Sequence, residues 1–93
     1  MLPKNRRPTH PGIILRKHFL LPLKITQSKL ASHVGWSQPK VNEIVTGKRG
    51  VSAEAAIVLG KALGTSAEFW LNLQKNVELW DAMQTPVNVR KIA

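Results

Sequence analysis

Between Gln27 and Gly47 the chain reads QSKLASHVGWSQPKVNEIVTG, and the placing of small, apolar and turning residues there leaves room for few structures. Leu30, Ala31 and Val34 fall on one face of a helix that Thr26 is placed to cap. Val41, Ile44 and Val45 fall on one face of a second helix, with Ser37 at its start. Gly35 lies between them, where the chain needs a residue that accepts a left-handed conformation, and Ala31 is small enough for two helices to cross closely. The pattern is that of a helix-turn-helix. Any αα-corner in a helical protein shares its outline, so function has to be argued from what surrounds it.

Charge is the first surrounding feature. Up to Gly50 the bases are Lys4, Arg6, Arg7, Arg16, Lys17, Lys24, Lys29, Lys40, Lys48 and Arg49, opposed only by Glu43. After Gly50, Lys61, Lys75, Arg90 and Lys91 are matched by Glu54, Glu68, Glu78 and Asp81, so the whole net charge of +9 sits in the half that holds the helix pair. Such asymmetry favours a polyanion bound with release of counterions, although basic chains also meet membranes and acidic proteins.

A chain of 93 residues fits one domain. Residues 1–9, basic and with two prolines, read as a flexible arm; residues 10–83 as the helix-turn-helix domain; residues 84–93 as a tail. Pro11 suits a first helical turn, and Ile14, Leu15 and Phe19 make an apolar stripe that Pro22 ends. The second and third helices are expected over 27–34 and 38–45, with Pro39 tolerated in a first turn and Gly47 closing the third. Ser52 caps a fourth helix running to about Leu63, with Ala55, Ala56, Leu59, Ala62 and Leu63 inward and Gly64 as its stop. Thr65 to Glu68 reads as a capping box for a fifth helix ending about Met83, its stripe Phe69, Leu73, Val77 and Trp80. In the tail, Val87, Asn88 and Val89 alternate as a short edge strand would, with disorder as the competing reading. The expected fold is all-α, a compact five-helix domain.

The third helix points its apolar residues inward and leaves Ser37, Gln38, Lys40 and Asn42 on its outer side. Such a helix fits the major groove of B-DNA, where glutamine bonds adenine N6 and N7 and lysine donates to guanine O6 and N7, so these four are the candidate base readers, Gln38 first. Glu43 would repel phosphate and has to read cytosine, pair with a neighbouring base or sit apart. Gln27 and Ser28, at the start of the second helix, and Lys48 and Arg49, in the loop beyond the third, are candidate phosphate contacts. Arg6 and Arg7 are a candidate arm for a neighbouring groove. For all of these the plain alternative is a solvated surface. Trp36 packs over the helix crossing or touches the DNA backbone, and Phe69, Trp70, Leu73, Val77 and Trp80 serve the core or a dimer contact.

Other chemistries find little support. His10, His18 and His33 lack close ligand spacing and the chain has no cysteine, so no metal site is expected. The five carboxylates are scattered, no histidine has an evident catalytic partner, and no glycine-rich phosphate loop occurs; neither catalysis nor a cofactor is expected. No apolar run reaches the length of a membrane span and no leader pattern opens the chain, which fits a cytoplasmic protein.

Three stretches together are sharper than the helix-turn-helix alone: HPGIILRKHFLLPL at 10–23, the helix pair at 27–47, and GKRGVSAEAAIVLGKALGTSAEFWLNLQ at 47–74. They resemble the HigA/VapI-type antitoxins of the XRE, or Cro/phage-repressor, class, with His10-Pro11-Gly12 and Glu68 to Gln74 the most family-specific parts. The resemblance implies a five-helix, homodimeric repressor of its own toxin-antitoxin operon. It also implies that the protein binds a pseudo-palindromic double-stranded operator and neutralises a HigB-like toxin, a RelE-like ribosome-dependent mRNA endonuclease. By position it gives Gln27 the phosphate contact and puts Gln38, Pro39, Lys40 and Asn42 in the base-reading stretch. Pro39-Lys40 departs from the small hydroxyl residues frequent there, and the short tail has no room for a separate toxin-binding domain. Two rivals stand beside this: a protein-interaction module that neutralises a partner without reading DNA, and RNA binding. The latter ranks last, because a helix cannot enter the narrow A-form major groove.

Overall fold

The computed structural model describes residues 6–93; Lys4 and the rest of the first five residues of the expected arm lie outside them. Its helices are α1 (Pro11–Ile14), continuing into a π-helical segment (Leu15–Leu20), α2 (Gln27–Val34), α3 (Gln38–Val45), α4 (Ala53–Leu63) and α5 (Ala67–Met83). No strand occurs among the described residues. Thr26, Ser37, Ser52 and Ser66 each cap the helix that follows by accepting a backbone N–H three residues on, at 3.0, 3.2, 3.1 and 3.1 Å. Gly35 closes α2 with φ 78°, and its amide donates to the Ala31 carbonyl, so the turn is made by a left-handed glycine at the position the spacing requires.

The π-helical segment is not visible in the sequence pattern. There the Leu21 amide donates back to the Arg16 carbonyl at 3.0 Å, a wider ring than the α-helical one. The widening brings Leu15 and Leu20, five positions apart, onto the same inward face, where both are fully buried. The expected stripe of Ile14, Leu15 and Phe19 is thereby replaced: Ile14 and Phe19 are only half-buried. The reversal after it ends at Lys24, whose φ of 55° is left-handed without being glycine.

The core gathers Leu15, Leu20, Leu30, Ala31, Val41, Ile44, Val45, Val51, Ala55, Ala56, Leu59 and Trp70. On α5 the buried residues are Trp70, Gln74 and Val77, one step round from the expected stripe; Phe69 is 39% exposed, and Leu73 and Trp80 are half-buried. Trp70 is drawn in because its indole N–H has a partner, donating to Thr65 Oγ1 at 2.7 Å, while its ring meets Phe19 and Phe69 at 5.3 and 5.0 Å. The expected capping box is corrected at the start of α5. The cap is Ser66, one residue later, the Thr65 hydroxyl meets Trp70 instead, and Phe69 rather than Glu68 stands third in the helix. Residues 84–93 leave α5 without regular structure and fully exposed, so Val87, Asn88 and Val89 form no strand within one chain.

Candidate nucleic-acid interface

The outer side of α3 is set by its inner side. Val41, Ile44 and Val45 are buried, which turns Gln38, Pro39 and Asn42 to solvent and leaves Lys40 partly covered. Pro39 sits in the first turn, where a missing N–H costs nothing, and the Ser37 hydroxyl is occupied as the cap of that turn. Gln27, at the start of α2, lies against this surface. Asn42 Nδ2 donates to Gln27 Oε1 at 3.2 Å, and Gln27, Gln38, Pro39 and Asn42 line one shallow concavity of about 390 Å³. Two side chains put forward for different tasks, a phosphate contact and a base contact, are therefore joined by a hydrogen bond. Their sequence separation of 15 gives no sign of it.

Lys40 lies with its ammonium 4.5 Å from the centre of the Trp36 ring. Trp36 is half-buried against the core, so the aromatic residue in the turn both packs and holds the lysine on the outer surface. Ser28 and Lys48 are exposed. Arg49 is turned back instead, its Nε and Nη2 donating to Glu43 Oε1 at 3.1 and 2.8 Å. That answers where Glu43 goes: it pairs with a neighbouring base, and the pair removes much of the net charge of Arg49 from the candidate clamp. Arg6 is exposed, whereas Arg7 forms a two-pronged pair with Asp81, near the end of α5, at 2.9 and 2.8 Å. The pair keeps the Asp81 carboxyl below the usual carboxylate range, through the hydrogen bond first and charge second. A segment expected to swing free is thus tied at Arg7 to the far helix.

The end of α3 is held by residues that no argument from periodicity selects. His10 is buried and caps α1, its Nδ1 accepting the Gly12 amide at 2.9 Å. Burial, and the neighbouring Arg7, keep its imidazole below the ordinary pKa and so neutral, as an accepting nitrogen must be. Gly12 packs directly on α3: a Cβ there would stand 1.8 Å from the Ile44 carbonyl oxygen. Gly47 lies over the His10 ring, with a Cβ there 3.9 Å from it. Beyond Gly50, the buried Gln74 of α5 accepts the Val51 amide at 2.8 Å and donates to Glu78 at 3.2 Å. His10, Gly12 and Gln74 therefore grip the last turn of α3 and the loop 47–51 from two sides. The stretches at 10–12 and 68–74 thus have a structural task as well as a diagnostic one.

Among the described residues no group of histidines and carboxylates gathers as a metal site, and no helix is long and apolar enough to cross a membrane.

Residues 14–69 match the family model described as a helix-turn-helix domain. Antitoxin HigA-1 of Vibrio cholerae is 44% identical over 78 residues, which cover 83% of this chain and 72% of that protein. Among solved structures, the Pseudomonas aeruginosa antitoxin HigA with higBA promoter is 47% identical, with a TM-score of 0.81 over 84% of this chain and 85% of that one. Antitoxin GraA in complex with its operator is 37% identical, with a TM-score of 0.79 over 100% of both chains.

Proposed function

Since the chain belongs to the HigA/VapI-type antitoxins of the helix-turn-helix family, we propose that it represses its own operon by binding a symmetric operator and that it neutralises a HigB-like toxin. The supporting observation is the outer face of α3. Gln38, Pro39 and Asn42 are exposed together, Lys40 is held beside them by Trp36, and Gln27 is bonded to Asn42. In this reading α3 enters the major groove with Gln38 as the principal base reader and Lys40 and Ser37 beside it. Asn42 acts with Gln27: its amide nitrogen is given to Gln27, so that the Gln27 Nε2 faces outward as a donor to phosphate. Ser28 and Lys48 complete the backbone contacts, with Arg49 a lesser one because of Glu43. The protein acts by binding, without catalysis, and works in the cytoplasm where its DNA lies.

The deciding experiment is a footprint of the purified protein on DNA upstream of its own gene, with and without the product of the adjoining gene. Protection of a pseudo-palindromic site, altered by that product, is expected. Gln38→Ala weakens binding to that site by about 1–3 kcal/mol and relaxes one base position per half-site. An equal loss on random DNA would remove Gln38 from base reading, and absence of any protected site alongside a stable toxin complex would leave the interaction-module reading in its place.

A further inference from the structure

The chain is fixed on both sides of the turn before α3 begins. The Trp36 amide donates to the Ala31 carbonyl at 2.9 Å, and Ser37 is extended, at φ −72° and ψ 152°, so that its hydroxyl accepts the Lys40 amide at 3.2 Å. The cap makes Lys40 the third residue of α3 and leaves Trp36 just outside the helix, four positions back, where the two side chains meet. The Trp36 ring is half-buried against the core and so has little freedom to move. The Lys40 ammonium rests 4.5 Å from its centre.

Lys40 stands at an unfavourable place for a charge of its sign. The first turn of a helix is its positive end, which disfavours a cation, and no acidic residue lies in the first turn of α3 to offset it. Among the described residues the ion pairs are Arg7–Asp81 and Arg49–Glu43, and neither includes Lys40. The negative face of the indole meets its charge instead. A free lysine is also a poor base reader. Its ammonium is a compact point charge on a flexible four-carbon stem, without the planar fork by which arginine matches an acceptor pair. Such a side chain discriminates between bases only if something else fixes where its charge stands.

We propose that Trp36 is a positioning residue for operator recognition: its ring holds the Lys40 ammonium at one place on the outer side of α3, from which the lysine reads a guanine in each half-site. The proposal rests on the operator-binding reading and names what makes Lys40 selective within it. The indole covers one side of the ammonium and leaves donors on the other for guanine O6 and N7. Because the ring is anchored before DNA arrives, part of the ordering of the lysine is already done in the free protein. A wrong base at that position then meets a charge that is held there and does not swing away to a phosphate. Trp36 acts through Lys40.

Two measurements on the full-length protein test this. In the free protein, the Lys40 side-chain methylene protons, identified by their loss in Lys40→Met, are expected upfield of those of the other lysines, because an aromatic ring shields groups over its face. Lys40 signals at the position of an ordinary exposed lysine overturn the proposal. The second measurement is binding to the protected site with each base pair of a half-site replaced in turn. Lys40→Met is expected to abolish a preference for guanine at one position. Trp36→Leu should lower the same preference about two- to fivefold, Trp36→Phe should retain most of it, and affinity for random DNA should change little in either. In the Lys40→Met protein, adding Trp36→Leu should change nothing further at that position. Trp36→Leu that keeps the parent preference overturns the proposal, as does a loss that is equal on all sequences and independent of residue 40, which is what a packing role alone gives. If Trp36→Leu unfolds the protein, the proton shifts decide alone. Shielded Lys40 protons in a protein that protects no symmetric site overturn the operator-binding reading itself, and the base contact with it.

Discussion

Two glycines show how differently the same residue type is used. Gly35 is needed for its backbone, at φ 78°, with nothing within 4 Å of a notional Cβ; Gly12 is needed for its lack of side chain, because α3 backbone lies in that space. Gly35→Ala is therefore expected to cost about 1 kcal/mol, from strain in the left-handed region alone. Gly12→Ala should cost about 3 kcal/mol or more, since a backbone carbonyl cannot step aside as a side-chain tip can. Thermal unfolding of the two variants checks the order, and equal tolerance would mean that α1 does not bear on Ile44. His10 adds a pH dependence. Its folded-state pKa is lowered, so the unfolded chain binds more protons, and the cap's stabilisation is complete above the unfolded value of about 6.5 and is lost as pH falls below it. Replacing it by asparagine keeps an accepting atom for the Gly12 amide without a titration. The His10→Asn protein should lose less stability than the parent between pH 7.5 and pH 5.5; parallel losses would place the titration elsewhere.

Among elements, α3 and the loop after it carry the proposed DNA contacts. The Glu43–Arg49 pair links the helix to the loop, with both side chains nearly half exposed, so its effect on stability is small and its effect on the charge of the proposed DNA-facing surface is the larger one. Glu43→Gln is expected to raise affinity for DNA of any sequence and to steepen the salt dependence by up to about one counterion, because Arg49 becomes available to phosphate. Lys48→Ala, which breaks no ion pair among the described residues, should flatten that dependence by about one. If both slopes stay at the parent value, the loop lies off the phosphate backbone. The π-helical segment shows how an element can be right in place and wrong in detail. Its residues are apolar where a helix needs them, yet the wider ring moves the buried pair to Leu15 and Leu20, a choice made by what α1 packs against.

For the whole molecule, the uneven charge becomes a directional one. Of the first-half bases, Lys29 lies on α2, Lys40 on α3 and Lys48 in the loop after it, while the second half is formally neutral. Neutralising Lys61 and Lys75 together should therefore leave the salt dependence of operator binding unchanged, although it removes two of the 14 bases. A loss comparable to that from Lys29 and Lys48 would mean that charge acts through the net total rather than through position. Much of this was legible from residue order: caps, glycine stops and apolar spacing are local rules, and they place the helix pair, the ends of α4 and α5 and the outward face of α3. Tertiary structure decided what local rules do not reach. The Thr65 hydroxyl accepts the Trp70 indole N–H, brought over it by core packing, while Ser66 caps α5; the buried Gln74 accepts an amide 23 positions away. Gln27 and Asn42, Arg49 and Glu43, Arg7 and Asp81 each met because folding brought them together. The sequence by itself determined which segments are helical and which surface is basic, since those follow from neighbours along the chain. Which polar side chains are spent on one another and which stay exposed for the proposed DNA contacts was decided only when helices distant in sequence came into contact.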